Sequence, residues 1–326
     1  MINKMKQILL HRIFLIILLI ILSIISIMIG VKDFSLGGLF TGNADDVNLV
    51  LISRIPRLIS IIVTGASLSV AGLIMQTITN NKFVSPSTAG TMEWCKSGVM
   101  IAILLFGGRS SLVKMGVAFI CALFGTLLFM KLLTKLQFKN AIIVPLVGMM
   151  MGNVIGSITS FFAYKYDIMQ NMSSWLQGNF SLIIKGRYEL LYIGIPFFII
   201  AYVYANKFTI AGMGESFSQN LGLNHKRVVM GGMVIVAFIT ATVVVTVGSI
   251  PFLGLIIPNI VAIYKGDNIK NTLFDIALLG SIFILICDIL GRIIIYPYEV
   301  SISVVVSVVG SIIFLVILFW RNKHAR

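Results

Sequence analysis

KFTIAGMGESFSQNLGLNHKR, residues 207–227, is the stretch whose reading decides the fold. On both sides the sequence is nearly continuous hydrocarbon. Only here do small, polar and charged side chains stay together for about twenty residues. The segment therefore reads as a polar connection between two blocks of apolar spans, six before it (1–206) and four after it (228–326).

Composition supports that division. The chain has 326 residues, 58% of them hydrophobic and only 11% charged, with a mean hydropathy of +1.04. A soluble domain carries roughly a quarter charged residues. The reading is an all-α polytopic membrane protein. The net charge of +14 does not imply nucleic acid, because the basic residues are strung between apolar runs, where the positive-inside rule places them. Cys95, Cys121 and Cys287 are widely spaced and suggest neither a metal site nor a disulfide framework. His11, His225 and His324 lie near span ends or tails. The N-terminal run Ile13–Gly30 is longer than a signal-peptide core and lacks a small-x-small cleavage site, so it reads as a retained first helix.

A spanning helix needs ~20 apolar residues. By that measure ten crossings are expected near 13–31, 58–76, 97–108, 112–133, 141–164, 189–206, 228–249, 252–264, 273–291 and 302–320. The uncharged run Val228–Tyr264 is too long for one crossing, and Gly248, Pro251, Gly254 and Pro258 mark where it breaks. With both termini in the cytoplasm, the Lys and Arg residues divide fifteen inside against eight outside, with Lys96 and Lys114 at span ends. Arg54, Arg57 and Arg292 then face outward. Residues 70–90 and 246–260 each interrupt an apolar run with polar residues, Gly and Pro, the pattern of an inverted-repeat transporter.

Candidate residues follow from this frame. Gly148, Gly152, Gly156 and Ser160 recur every four residues and form one small-residue helix face, suited to helix packing or to a seam at a pathway or subunit boundary. Gln76, Thr79, Asn80 and Asn81 end the second span, where they either meet water or satisfy backbone groups freed by an interrupted helix. Asp288 is read as the one carboxylate well inside an apolar run, and its i,i+4 partner Arg292 gives it a structural role. Arg54 and Arg57 flank Pro56 and either anchor the span at lipid headgroups or dock an acidic partner. Within residues 207–227, Asn220-Leu221-Gly222 fits the end of a short helix with Gly222 as its cap. Such a helix would display Leu221 and Leu223 as a docking peg. No G-x-x-x-x-G-K-[ST], G-x-S-x-G or H-E-x-x-H motif occurs, so an ATP-driven process would need its nucleotide site on another chain.

Six segments together resemble the permease family of bacterial ABC importers for iron-siderophores, haem and cobalamin. They are RIPRLISIIVTGASLSVAGLIMQTITNNKFVSPSTAG (54–90), SSWLQGNFS (173–181), NLGLNHKRV (220–228), GSIPFLGLIIPNI (248–260), CDILGR (287–292) and YEVSISVVVSVVGSIIF (298–314). The chain departs from the family at Asn81-Lys82-Phe83-Val84, where Asn-Pro-Leu-Ala is usual, and at Pro258-Asn259, where Pro-His is usual. The stretch from Asn81 to Trp94 is similar to a branch importing catecholate-type siderophores, petrobactin-like ones included.

The resemblance implies a non-enzymatic subunit of ten helices in the bacterial cytoplasmic membrane. It implies no cofactor in this chain, with ATP held by two separate ATPase subunits. It also implies pairing with a second permease, commonly a different one, and delivery of ferric siderophore by an extracellular substrate-binding lipoprotein. The coupling residues would be Glu215, Ser216, Asn220, Leu221 and Gly222. Arg54, Arg57 and Arg292 would engage the binding protein, and the fifth and tenth spans would line the pathway. An ion-gradient-driven secondary transporter is the competing expectation, and haem or cobalamin the competing cargo.

Overall fold

The computed structural model describes residues 12–30, 44–107, 110–136, 143–183, 186 and 188–324. Lys32, Arg109, Lys185 and Arg187, counted above as outside, and Lys4, Lys6, Lys139 and Arg326, counted as inside, lie outside the described residues.

The apolar runs fold as helices although many are rich in β-branched Ile and Val, because in a membrane the backbone must satisfy itself within each segment. The elements are α1 (Arg12–Met28), α2 (Ala44–Leu49), a π-helical turn (Val50–Arg54), α3 (Ile55–Ile78), α4 (Thr91–Phe106), α5 (Ser111–Leu136), α6 (Ile143–Lys165) and α7 (Met169–Leu176). After a 3₁₀ turn (Glu189–Ile193) come α8 (Gly194–Val203), α9 (Ala205–Ala211), α10 (Glu215–Asn220), α11 (His225–Thr246), α12 (Leu253–Lys265), α13 (Ile269–Ile293) and α14 (Ile302–His324). Among the described residues, β structure is limited to the isolated bridges Gln177–Ser249 and Ile295–Tyr298.

Each of the ten expected runs is helical. Among the described residues six helical stretches are long and apolar enough to cross a membrane, and Glu189–Val203 with Ala205–Ala211, bent by 61°, makes a seventh if taken as one span. Arg12–Met28 and Leu253–Lys265 are shorter apolar helices. The third run starts further upstream than its apolar residues suggest and takes in Glu93 and Lys96.

The core sits around α3, α11 and α13, whose most apolar windows are 72, 78 and 67% buried. Small residues in α3 (Gly65, Ser67, Ser69, Ala71, Gly72), all buried, let neighbouring backbones come close. By contrast α6 and α14 are each only 22% buried. Met150, Val154 and Phe161 of α6 and Val308, Ile312 and Val316 of α14 are exposed.

Candidate functional site

Polar side chains gather where two chain breaks are braced by neighbouring elements and in a cluster at each end.

The breaks are residues 79–90, after α3, and 247–252, before α12. Asn80 (φ 48°) and Phe252 (φ 63°) both take left-handed backbone there. The first break and the end of α3 are tied to α12. Pro258 lies inside α12 and, lacking an N–H, leaves the carbonyl of Gly254 without its helical donor. Gln76 supplies the missing donor, its Nε2 lying 3.3 Å from Gly254 O and 3.2 Å from Leu255 O. In return Asn259 Nδ2 donates to Lys82 O at 2.8 Å. Gln76 thus takes the second of its two expected roles, as partner to an interrupted helix. This is possible because Gly72 and Gly254 touch backbone to backbone: a Cβ on Gly72 would lie 1.9 Å from Gly254 O.

The break 247–252 is held by the segment after α7 and by the start of α14. Ser249 N donates to Leu176 O at 2.9 Å and Asn179 N to Val247 O at 3.0 Å. Ser303 Oγ, at the start of α14, donates to Ser249 O at 2.8 Å.

At one end Arg54, Arg57 and Arg292 are brought together. Arg57 reaches Asp288 at 2.8 Å and Glu299 at 2.9 Å. Arg292 lies 2.6 Å from Asp288, the i,i+4 pair expected from sequence. Arg292 also donates to Ser26 O (2.9 Å) and Ile29 O (2.8 Å), and Arg54 donates to Ile27 O (2.8 Å) and Ile29 O (2.7 Å). The last carbonyls of α1, orphaned by the end of the helix, are therefore capped by two arginines from distant elements. Arg54 is only 9% exposed and Arg292 5%, so their donors face the chain's own acceptors. Burial pushes the Glu299 carboxyl up, but Arg57, the Ser181 hydroxyl and Arg292 together outweigh it and hold the group below the usual carboxylate range.

At the opposite end lie residues 205–227. They form α9, a tight turn and α10, with Ser218 buried and bonded to Gly214 O at 2.7 Å. After α10, Gly222 N donates to Gln219 O and Leu223 N to Ser218 O, both at 2.9 Å. This crossed pair ends a helix through a left-handed residue, and Gly222, at φ 72°, supplies it. Asn224 then caps α11 by accepting from Arg227 N at 3.1 Å. Glu215, Ser216 and Asn220 are exposed. The apolar display differs from expectation: Leu221 is exposed but Leu223 is half-buried, and Met213 and Phe217 are exposed instead. Their spacing of four residues was a legible signal.

Gly148 and Gly152 pack against the first break, where a Cβ on Gly148 would meet Thr88 O at 2.3 Å. Gly156 lies against Glu93, which pairs with Lys96 at 2.7 Å, while Ser160 is exposed. Asp288 is not the only buried acid of the spans. Asp275 is fully buried at the 205–227 end, paired with Arg12 (3.2 Å) and Lys265 (3.0 Å). It lies only two residues inside the ninth run, so the sequence reading passed it over.

Comparison with known proteins places these features. Residues 18–320 match the model of the FecCD transport family. The chain is 59% identical over 312 residues to the petrobactin import system permease protein YclN of Bacillus subtilis, covering 96% of this chain and 99% of that one. It is 37% identical to the ferric-anguibactin transport system permease protein FatD of Vibrio anguillarum, covering 84% and 87%. In fold it is similar to a solved metal-chelate type ABC transporter in an inward-facing conformation, with TM-score 0.79, 23% identity and coverage of 94% and 97%. Ten apolar runs, two chain breaks and near full-length likeness lead to one conclusion: this chain belongs to the FecCD transport family.

Proposed function

We propose that the chain is the permease subunit of a bacterial ABC importer that passes an intact ferric siderophore of the catecholate type into the cell. The observation that carries this reading is the likeness, over almost the whole length of both chains, to a permease named for petrobactin import.

In this reading the chain is one permease domain with six spans before residues 207–227 and four after. Both termini and the 207–227 segment lie in the cytoplasm. Two ATPase subunits, which hold the ATP, grip α10 through the exposed stripe Met213, Phe217 and Leu221, with Glu215, Ser216 and Asn220 beside it. Gly222 fixes the angle at which α10 meets α11. The bare faces of α6 and α14 are covered by a second permease and border the pathway, with Gly148, Gly152, Gly156 and Ser160 alongside. A different partner chain is favoured, since this chain is similar to two petrobactin permeases of one organism, YclN and, at 25% identity, YclO. An extracellular binding lipoprotein docks at the opposite end. There Arg54, Arg57 and Arg292 gather with Asp288 and Glu299.

Reconstitution tests this directly. With the second permease, ATPase and binding protein in liposomes, ferric petrobactin should enter on ATP addition. Uptake driven by a proton or sodium gradient without ATPase would refute the reading, as would ATP-driven uptake of haem or cobalamin but not of the siderophore.

A further inference from the structure

At the end carrying residues 207–227, a groove of about 710 Å³ opens between α8–α9 and α11. It sits where Glu189–Val203 and Ala205–Ala211 meet at a 61° bend. Its floor is hydrocarbon, from Phe197, Ile200, Val234 and Ile235. Its rim carries Tyr204, Lys207 and Arg227. Lys207 and Arg227 are both exposed, and Lys207 Nζ lies 4.4 Å above the Tyr204 ring. No carboxylate lines the groove, and no ion pair to either cation occurs among the described residues. Gly231 keeps the wall open, with nothing within 4 Å of the position a Cβ would take. From the floor the apolar surface runs on over exposed Ile199 and Val203 of α8.

We infer that this groove binds an anionic phospholipid. The phosphate sits between Lys207 and Arg227, the glycerol against Tyr204, and one acyl chain along Phe197, Ile200 and Val234. Basic pockets between spans on the cytoplasmic side take such headgroups, and aromatic rings favour the headgroup level. A free phosphate would meet the same two cations but leave the hydrocarbon floor uncovered, so a lipid fits and a soluble anion does not. The assignment to the cytoplasmic leaflet rests on the topology proposed above; the headgroup chemistry does not.

Native mass spectrometry of the assembled complex, titrated with phosphatidylglycerol and with phosphatidylcholine of the same chains, tests the site. Phosphatidylglycerol should be retained preferentially. Each cation near the surface contributes roughly fivefold, so Lys207→Gln/Arg227→Gln should weaken retention about thirtyfold. Gly231→Leu fills the groove while leaving both charges, and should also release the lipid. It serves alone if the double variant assembles poorly. Equal retention of both lipids, unchanged retention in the variants, or full displacement by inorganic phosphate would each overturn the proposal. Uptake is scored separately: a complex that keeps the lipid but imports no siderophore refutes the transport reading and leaves this site standing.

Discussion

Replacing Asp288 with Asn removes one negative charge and almost no volume from the arginine end. The carboxylate is 3% exposed and lies 2.8 Å from Arg57 and 2.6 Å from Arg292. After the change Arg57 keeps its pair with Glu299, while Arg292 loses the carboxylate it pairs with. Breaking a buried pair by removing one partner costs about 3–5 kcal/mol, because the other charge stays buried without compensation. Two guanidiniums share this carboxylate, which favours the upper part of that range. Glu299→Gln touches a side chain 22% exposed, where water screens the loss, and should cost only about 1 kcal/mol. The balanced variant Asp288→Leu/Arg292→Leu removes both charges together and should recover more than half of the single variant's loss. Unfolding free energies from SDS titration of the purified proteins give the ranking. If Asp288→Asn were as stable as the parent, or the balanced variant no better than Asp288→Asn, the ion cluster would not be what holds this end together.

Other outcomes follow from the same geometry. Because Glu299 has its pKa lowered from 4.5, its stabilisation is complete above that value and is lost as pH falls through the lower, folded-state value. The parent should therefore lose stability below about pH 4.5 more steeply than Glu299→Gln in an acid titration of melting temperature. Gly72→Ala must push apart two backbones and should cost about 3 kcal/mol, whereas Gly116→Ala, with nothing within 4 Å, should be neutral or mildly stabilising by the same measurement. Gly222→Val forces a β-branched residue to φ 72° at a local cost of about 1–2 kcal/mol. The protein should still insert, while ATP hydrolysis by the reconstituted complex proceeds without uptake; normal coupled uptake would remove the role given to α10.

The helices were legible because their signal is local. An apolar run with a polar residue or Gly at each end fixes where a span begins and stops, and Asn224 and Asn268 cap α11 and α13 where the apolar pattern resumes. The i,i+4 pairing of Asp288 with Arg292 was readable for the same reason. Partners distant in sequence were not: nothing near Arg57 announces Glu299, 242 residues away, and nothing near Asp275 announces Arg12. The short α7 was missed because Met169–Leu176 has no span-length pattern. Exposure of Phe217 in place of Leu223 depends on how α10 sits against α9, which the bond from Ser218 Oγ to Ile210 O of α9, at 3.2 Å, helps to decide.

The second break explains why one span can be so short. With thirteen residues at ~1.5 Å each, α12 is about 20 Å long, some 10 Å less than the hydrocarbon core. Residues 247–252 make up the difference as non-helical backbone, which is tolerated at membrane depth only where protein or a water-filled cavity surrounds it. Here its polar groups are met by Leu176, Asn179 and Ser303 on one side, while beyond it Gln76 meets the α12 carbonyls. Most of these contacts are single hydrogen bonds, each of net worth about 1 kcal/mol, whereas the α3–α13 contact is a long buried helix interface tied at one end by the ion cluster. If the chain changes shape, the inexpensive place to yield is therefore the joint between 247–252, residues 176–179 and the start of α14, and not the α3–α13 core. Ser303→Ala, which removes one bond of the joint and leaves the core intact, should raise protease cleavage at 247–252 without lowering the unfolding free energy by more than about 1 kcal/mol; a large global loss with no local opening would place the flexible joint elsewhere.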